Sequence, residues 1–114
     1  MQVHHDDGDK HRVLASDVDV ADTVLSRMLG LMGRRALPED YALAFRFPRA
    51  RPRSVHMLFV FVPLDAIWVA DGEVTTVTQL DPWIGMGRGR GDLSLELPSG
   101  AADAVAIGDR IWLE

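Results

Sequence analysis

From residue 66 to residue 80 the chain reads AIWVADGEVTTVTQL: an apolar run, then Asp71-Gly72, then a run with Val74, Thr76, Thr78 and Leu80 on one face. An Asp-Gly pair between two such runs predicts a two-residue β-hairpin, because both central residues of the favoured turn need positive φ. The rhythm recurs along the chain. YALAFRF puts Tyr41, Leu43, Phe45 and Phe47 on one side, DLSLELP alternates leucine with polar residues, and HRVLASDVDV and GDRIWLE read as short strands. Residues 54–62, SVHMLFVFV, are the most apolar segment and predict a central strand covered on both faces. PRARPR before it predicts an interruption, since proline cannot donate to a ladder.

Two segments read differently. Asp22 can cap a helix starting at Thr23, and TVLSRMLGLMG sets Leu25, Leu29 and Met32 on one stripe, with Gly33 as the stop. SGAADAVAI predicts a short helical or turn segment near the C-terminus, and PWIGMGRGRGD a glycine-rich loop. Strand follows strand with only short connections, which excludes the βαβ rhythm of a doubly wound sheet. The expected fold is mostly β, a β-sandwich, a jelly-roll-like domain or a partly closed barrel. It carries one α-helix in its N-terminal half and a short C-terminal helical turn. Residues 1–10, MQVHHDDGDK, read as a flexible polar tail, and residues 11–114 as a single domain.

Composition excludes several kinds of chemistry. The chain has no cysteine, which removes disulfides, thiolate metal sites and iron–sulfur clusters. No stretch approaches the roughly 20 apolar residues that cross a bilayer, and the polar, acidic start is unlike a signal peptide. The expected location is the cytoplasm, with no membrane partner. There are 13 Asp against 4 Glu and 11 Arg against the single Lys10, for a net charge of −5. Such a balance fits a salt-adapted archaeal source or a GC-rich genome, and it disfavours nucleic acid as a partner unless a local basic patch exists.

The order TVLSRMLGLMGRRALPEDYALAFRFP, SVHMLFVFVPLDAIWVADGEVTTV, LELPSGAADAVAIGDRI resembles the DUF192 family of uncharacterised small proteins, also called UPF0127. The matching elements are Gly30-Leu31-Met32, the run from His56 to Pro63-Leu64-Asp65, Leu95-Glu96, and the closing Gly108-Asp109. The resemblance covers residues 13 to 113 and implies a mostly β domain of sandwich or jelly-roll type. It implies no activity. Many members carry Trp-Met-Lys-Asn where this chain has His56, Met57, Leu58 and Phe59, so no shared chemistry follows from that strand.

The candidate catalytic groups are His56, Asp65 and Glu96. A histidine beside a carboxylate can supply a base, or its ring can simply be oriented by a hydrogen bond. Ser26, Ser54, Ser94 and Ser99 lie in no nucleophile elbow, and neither HxH nor HExxH spacing supports a metal site. No cofactor is expected. Six arginines fall between positions 34 and 53, and Arg88 and Arg90 sit among glycines. Arg51, Arg53, Arg88 and Arg90, with Trp83 beside them, are candidates for a rim that binds an anion. The alternative is a mobile surface loop whose arginines pair with the many aspartates. The leading expectation is a non-enzymatic binding or accessory domain for a small anionic ligand or a protein partner. The second is a hydrolase- or isomerase-like enzyme using His56 with Asp65 or Glu96.

Overall fold

The computed structural model describes residues 1–21, 36–57 and 60–114, with only the backbone of His56. Among the described residues eight strands follow one another: β1 (Val3–Asp6), β2 (His11–Ala15), β3 (Asp17–Ala21), β4 (Tyr41–His56), β5 (Leu64–Ala70), β6 (Glu73–Leu80), β7 (Met86–Pro98) and β8 (Arg110–Leu113). They form one continuous sheet in the order β2-β1-β8-β6-β5-β7-β4-β3. Every pairing is antiparallel except β3 with β4, which is parallel.

The sheet curls because of one residue. β2 and β3 lie at opposite edges, yet only Ser16 separates them in the chain. Consecutive Cα atoms are about 3.8 Å apart, so the two edges must approach each other. Backbone N–H groups of Ser16 and Asp17 both donate to the Asp40 carbonyl at 3.0 Å, which ties this corner to the start of β4.

All eight strands feed one apolar cluster enclosed by the curl, including Val3, Ala15, Val18, Ala44, Ile67, Val74, Leu95 and Ile111. Ala102 and Val105, from the turns after β7, pack into it. A second cluster covers the reverse face of the central strands, built on Tyr41, Leu43, Phe45, Leu64, Ala66 and Trp68 and covered by Met57 and Val60. Burial on both faces explains why β5 reads as an almost unbroken apolar run.

The Asp71-Gly72 hairpin forms as expected, with φ of 52° and 81° at its two central residues. Other expectations are corrected. Among the described residues there is no helix, and none long and apolar enough to cross a membrane. Among the described residues the expected β fold with an α-helix is thus corrected to sheet alone, and the helix expected over residues 23–33 falls outside them. After β7 the chain forms successive turns rather than a helical turn, the N–H groups of Ala101, Asp103 and Val105 donating to the carbonyls three residues before them, and Asp65 accepts from the N–H groups of Gly100 and Ala102. A sandwich or jelly roll needs two packed sheets, whereas these strands hydrogen-bond into one.

The segment read as a polar tail contains β1, which pairs with β2 on one side and β8 on the other. β4 runs through PRARPR, and its ladder with β7 breaks only between Arg46 and Arg51, around Pro48. It ends at His56, so no strand spans 54–62, and Leu58 and Phe59 lie outside the described residues.

Residues 85–92 are the largest local surprise. GMGRGRGD is not a loop: from Met86 it is the first half of β7, paired with β4 from Arg51 to His56. A Cβ at Gly87 would stand 2.8 Å from the Trp68 ring, and one at Gly89 would fall within the same ring's contact distance. Alternate glycines let this strand lie directly on Trp68, while Met86, Arg88 and Arg90 project from its other face.

Candidate functional site

The arginine-bearing part of β4 pairs with the glycine-rich half of β7 to make a two-stranded ribbon. Its register sets Arg51 opposite Gly91, Pro52 opposite Arg90, Arg53 opposite Gly89 and Ser54 opposite Arg88. Directly opposed residues share a face, so Arg51 and Arg53 lie on one face and Arg88 and Arg90 on the other. Two grooves adjoin along the ribbon. One of about 460 Å³ is lined by Pro52, Arg53, Ser54, Arg88 and Gly89. The other, of about 370 Å³, is lined by Phe47, Pro48, Arg49, Arg51 and Arg53.

Arg53 belongs to both grooves and is held firmly. Its Nε donates to the Gly91 carbonyl at 3.0 Å and its Nη2 to the Arg49 carbonyl at 2.8 Å. The guanidinium carbon lies 3.6 Å above the centre of the Phe47 ring, a cation–π contact. Arg49, Arg51, Arg88 and Arg90 have no carboxylate partner among the described residues, whereas Arg12 pairs with Asp7 at 3.0 Å. Within the rim, Arg51, Arg88 and Arg90 therefore pair with none of the described aspartates. Arg34 and Arg35 lie outside the described residues.

Trp83 and Arg90 line neither groove. Trp83 sits at the tip of the 81–85 turn with φ at 68°, an outlier for a bulky residue that costs on the order of 1–3 kcal/mol. Its N–H donates to the Val60 carbonyl at 3.2 Å, and its ring meets Phe61 edge-on at 4.9 Å. Ile84 and Met86 beside it are exposed.

Two of the three catalytic candidates, Asp65 and Glu96, point to opposite faces of the sheet. Asp65 is buried and stands opposite Leu97, facing the enclosed core. Its Oδ2 accepts from the N–H groups of Gly100 at 3.0 Å and Ala102 at 2.9 Å, which makes it the anchor of the turns after β7. Glu96 stands opposite Ala66 and Leu43, on the reverse face. Asp65 and Glu96 therefore cannot serve one site. The His56 side chain lies outside the described residues.

Glu96 remains the most chemically loaded of the three. Its side chain is buried among apolar neighbours, and Oε2 has no hydrogen-bond partner. Burial without compensation disfavours the carboxylate and pushes its pKa from 4.5 up to about 7. A carboxyl of this kind changes charge near neutrality and can give or take a proton.

Sequence reasoning did not bring His5 and Asp109 together. His5 Nε2 lies 2.7 Å from Asp109 Oδ2, which also accepts from the Ala106 N–H at 2.9 Å. The His5 hydrogen bond first, and the Ala106 N–H second, hold the Asp109 carboxyl below the usual carboxylate range. The available signal was the Gly108-Asp109 pair, but nothing local connects it to a histidine 104 residues away.

A family model, DUF192, described as "Uncharacterized ACR, COG1430", matches residues 3–113. No curated protein matches the chain. Two solved structures share the fold. One is a protein from Sinorhizobium meliloti 1021 described as a candidate transcription regulator. It is 26% identical with a TM-score of 0.88, over 97% of this chain and 91% of that one. The other is a protein of unknown function from Novosphingobium aromaticivorans DSM 12444, 22% identical with a TM-score of 0.88, over 99% and 84% of the two chains.

Proposed function

The chain belongs to the DUF192 family, and we propose that in this member the β4–β7 ribbon binds a small phosphate- or carboxylate-bearing molecule, the domain serving as a binding or accessory module. The observation that carries this reading is the pair of adjoining grooves that share Arg53. Guanidinium forks match carboxylates and phosphates through paired N–H donors. Arg53 is already held by two carbonyls and a ring, so little ordering remains to oppose binding. In a protein of net charge −5, the cations of Arg49, Arg51 and Arg88 concentrate positive potential on one ribbon. Groove volumes of about 460 and 370 Å³ suit a small molecule.

Calorimetric titration with pyrophosphate and with a tricarboxylate, in wild type and in R51Q/R88Q, tests it. The reading expects saturable binding that the double variant weakens about tenfold or more. Equal affinity in the two proteins overturns it. The description of the Sinorhizobium protein brings nucleic acid in as a competitor for the same ribbon. Preference for duplex DNA over both small anions, with affinity falling steeply with salt, would replace the small-molecule reading.

A second reading, a small enzyme, is favoured by Glu96 alone. An acid with a pKa of about 7 and an unpartnered oxygen suits general acid–base work. Asp65 uses its Oδ2 to anchor the turn N–H groups of Gly100 and Ala102. Hydrolysis of ester and phosphoester probes is the check, with equal rates in wild type and E96Q removing the enzyme reading.

A further inference from the structure

Histidine is scarce in this chain, and two of its four copies meet on the exposed face of the β1–β2 hairpin. The register sets His4 opposite Val13 and Asp6 opposite His11, so His4 and His11 sit diagonally on one face. His5, the next residue, points the other way, towards Asp109. His4 Nδ1 and His11 Nε2 are 2.9 Å apart. On β8, Trp112 lies opposite His4 in register. Its ring stacks on His4 at 5.5 Å and 9°, and His11 tilts against it at 5.1 Å.

The hairpin that carries the two rings is braced at its turn. Asp7 Oδ1 accepts from the N–H groups of Asp9 at 2.9 Å and Lys10 at 2.7 Å, and Asp6 Oδ1 from Gly8 at 2.8 Å. Arg12 crosses back to Asp7 at 3.0 Å. These bonds hold the two strands in register and so fix the backbone positions from which the two rings extend.

We propose that His4 and His11 form a two-histidine chelate for a divalent transition-metal ion, with Cu2+ bound most tightly. Two imidazole nitrogens about 2.05 Å from one ion, at a right angle, are about 2.9 Å apart. That is the separation of His4 Nδ1 and His11 Nε2. In the metal-free pair one ring donates its N–H to the other. A metal needs both lone pairs, so the donating ring carries its proton on its other nitrogen, and both rings tilt to meet an ion off the line between them. Neutral imidazoles in cis positions suit tetragonal Cu2+ and Ni2+, with Cu2+ ahead in intrinsic affinity. Among the described residues no third His, Cys, Asp or Glu joins the pair, so water fills the other positions.

Trp112 makes the test direct, since bound Cu2+ quenches a stacked indole. Titration of the full chain with CuCl2 should quench fluorescence at one equivalent, and calorimetry should give the same stoichiometry. H11A should weaken Cu2+ affinity about tenfold or more, because one imidazole of the chelate is lost. W112F should keep the calorimetric binding while losing most of the quench, which separates the chelate from its reporter. Cu2+ should also raise the melting temperature of wild type and not that of H11A, by mass action on the folded state. Equal Cu2+ affinity in wild type and H11A overturns the proposal. So does an absence of quenching at one equivalent in wild type.

Discussion

Asp65 and Glu96 stand one register position apart on neighbouring strands and point to opposite faces of the sheet. Asp65 shares its face with Leu97 and the enclosed core, and Glu96 shares its face with Ala66 and Leu43. That separation gives the two acids unrelated roles.

Glu96 makes stability depend on pH in an uncommon direction. Its pKa rises on folding from 4.5 to about 7, so between these values the folded protein keeps a proton that the unfolded chain has lost. Its stabilising share is complete below pH 4.5, falls as pH rises, and is gone above about 7. At 1.36 kcal/mol per unit the loss is about 3 kcal/mol. Urea midpoints at pH 5 and pH 8 should fall for wild type and hold steady for E96Q. Parallel behaviour of the two proteins would contradict the assignment.

Asp65 should act through the turns it anchors. D65A leaves the N–H groups of Gly100 and Ala102 without their acceptor and opens a gap beside Leu97. A loss of about 2–4 kcal/mol is expected, read as a lower urea midpoint at pH 7. Hydrogen exchange should show the added opening first at residues 99–106.

The glycine strand supplies a sharp contrast between neighbours. G89A drives a methyl into the buried ring of Trp68, and overpacking of this kind costs about 1–3 kcal/mol or more. R88A, one residue away on the exposed face, should change stability by less than about 0.5 kcal/mol. Equal destabilisation by both substitutions would mean that the strand does not lie on Trp68.

Asp109 supports the acid side of the stability curve. Its carboxyl is held below 3.8 by the His5 hydrogen bond first and the Ala106 N–H second. The stabilisation is present above the ordinary value and is lost as pH falls through the depressed one. D109N should be about 1–3 kcal/mol less stable at pH 7. The gap between D109N and wild type should close as acid unfolding sets in.

Much of the β content was legible from period-two patterns, and the β5–β6 hairpin from Asp71-Gly72 with its two positive φ angles. The glycine strand was not, because hydrophobic periodicity cannot register a residue with no side chain. Its signal was the alternation itself, Gly85, Gly87, Gly89 and Gly91 against Met86, Arg88 and Arg90. The choice among sandwich, jelly roll and partly closed barrel was not legible, because strand patterns carry no information about which edges meet. The arginine rim was legible as composition, and of its proposed members Arg51, Arg53 and Arg88 line the grooves while Arg90 and Trp83 do not.

What the amino-acid sequence determined alone is local: where strands alternate, where Asp-Gly turns them, and that no thiol chemistry exists. Those properties depend on a residue and its near neighbours. Only the tertiary structure decided that His5 reaches Asp109, that His4 reaches His11 and Trp112, and that Asp65 and Glu96 part company. Each of these follows from strand register and from a curl imposed where Ser16 alone joins two opposite edges. A one-residue slip in register would exchange the two faces, and no short stretch of sequence specifies that alignment.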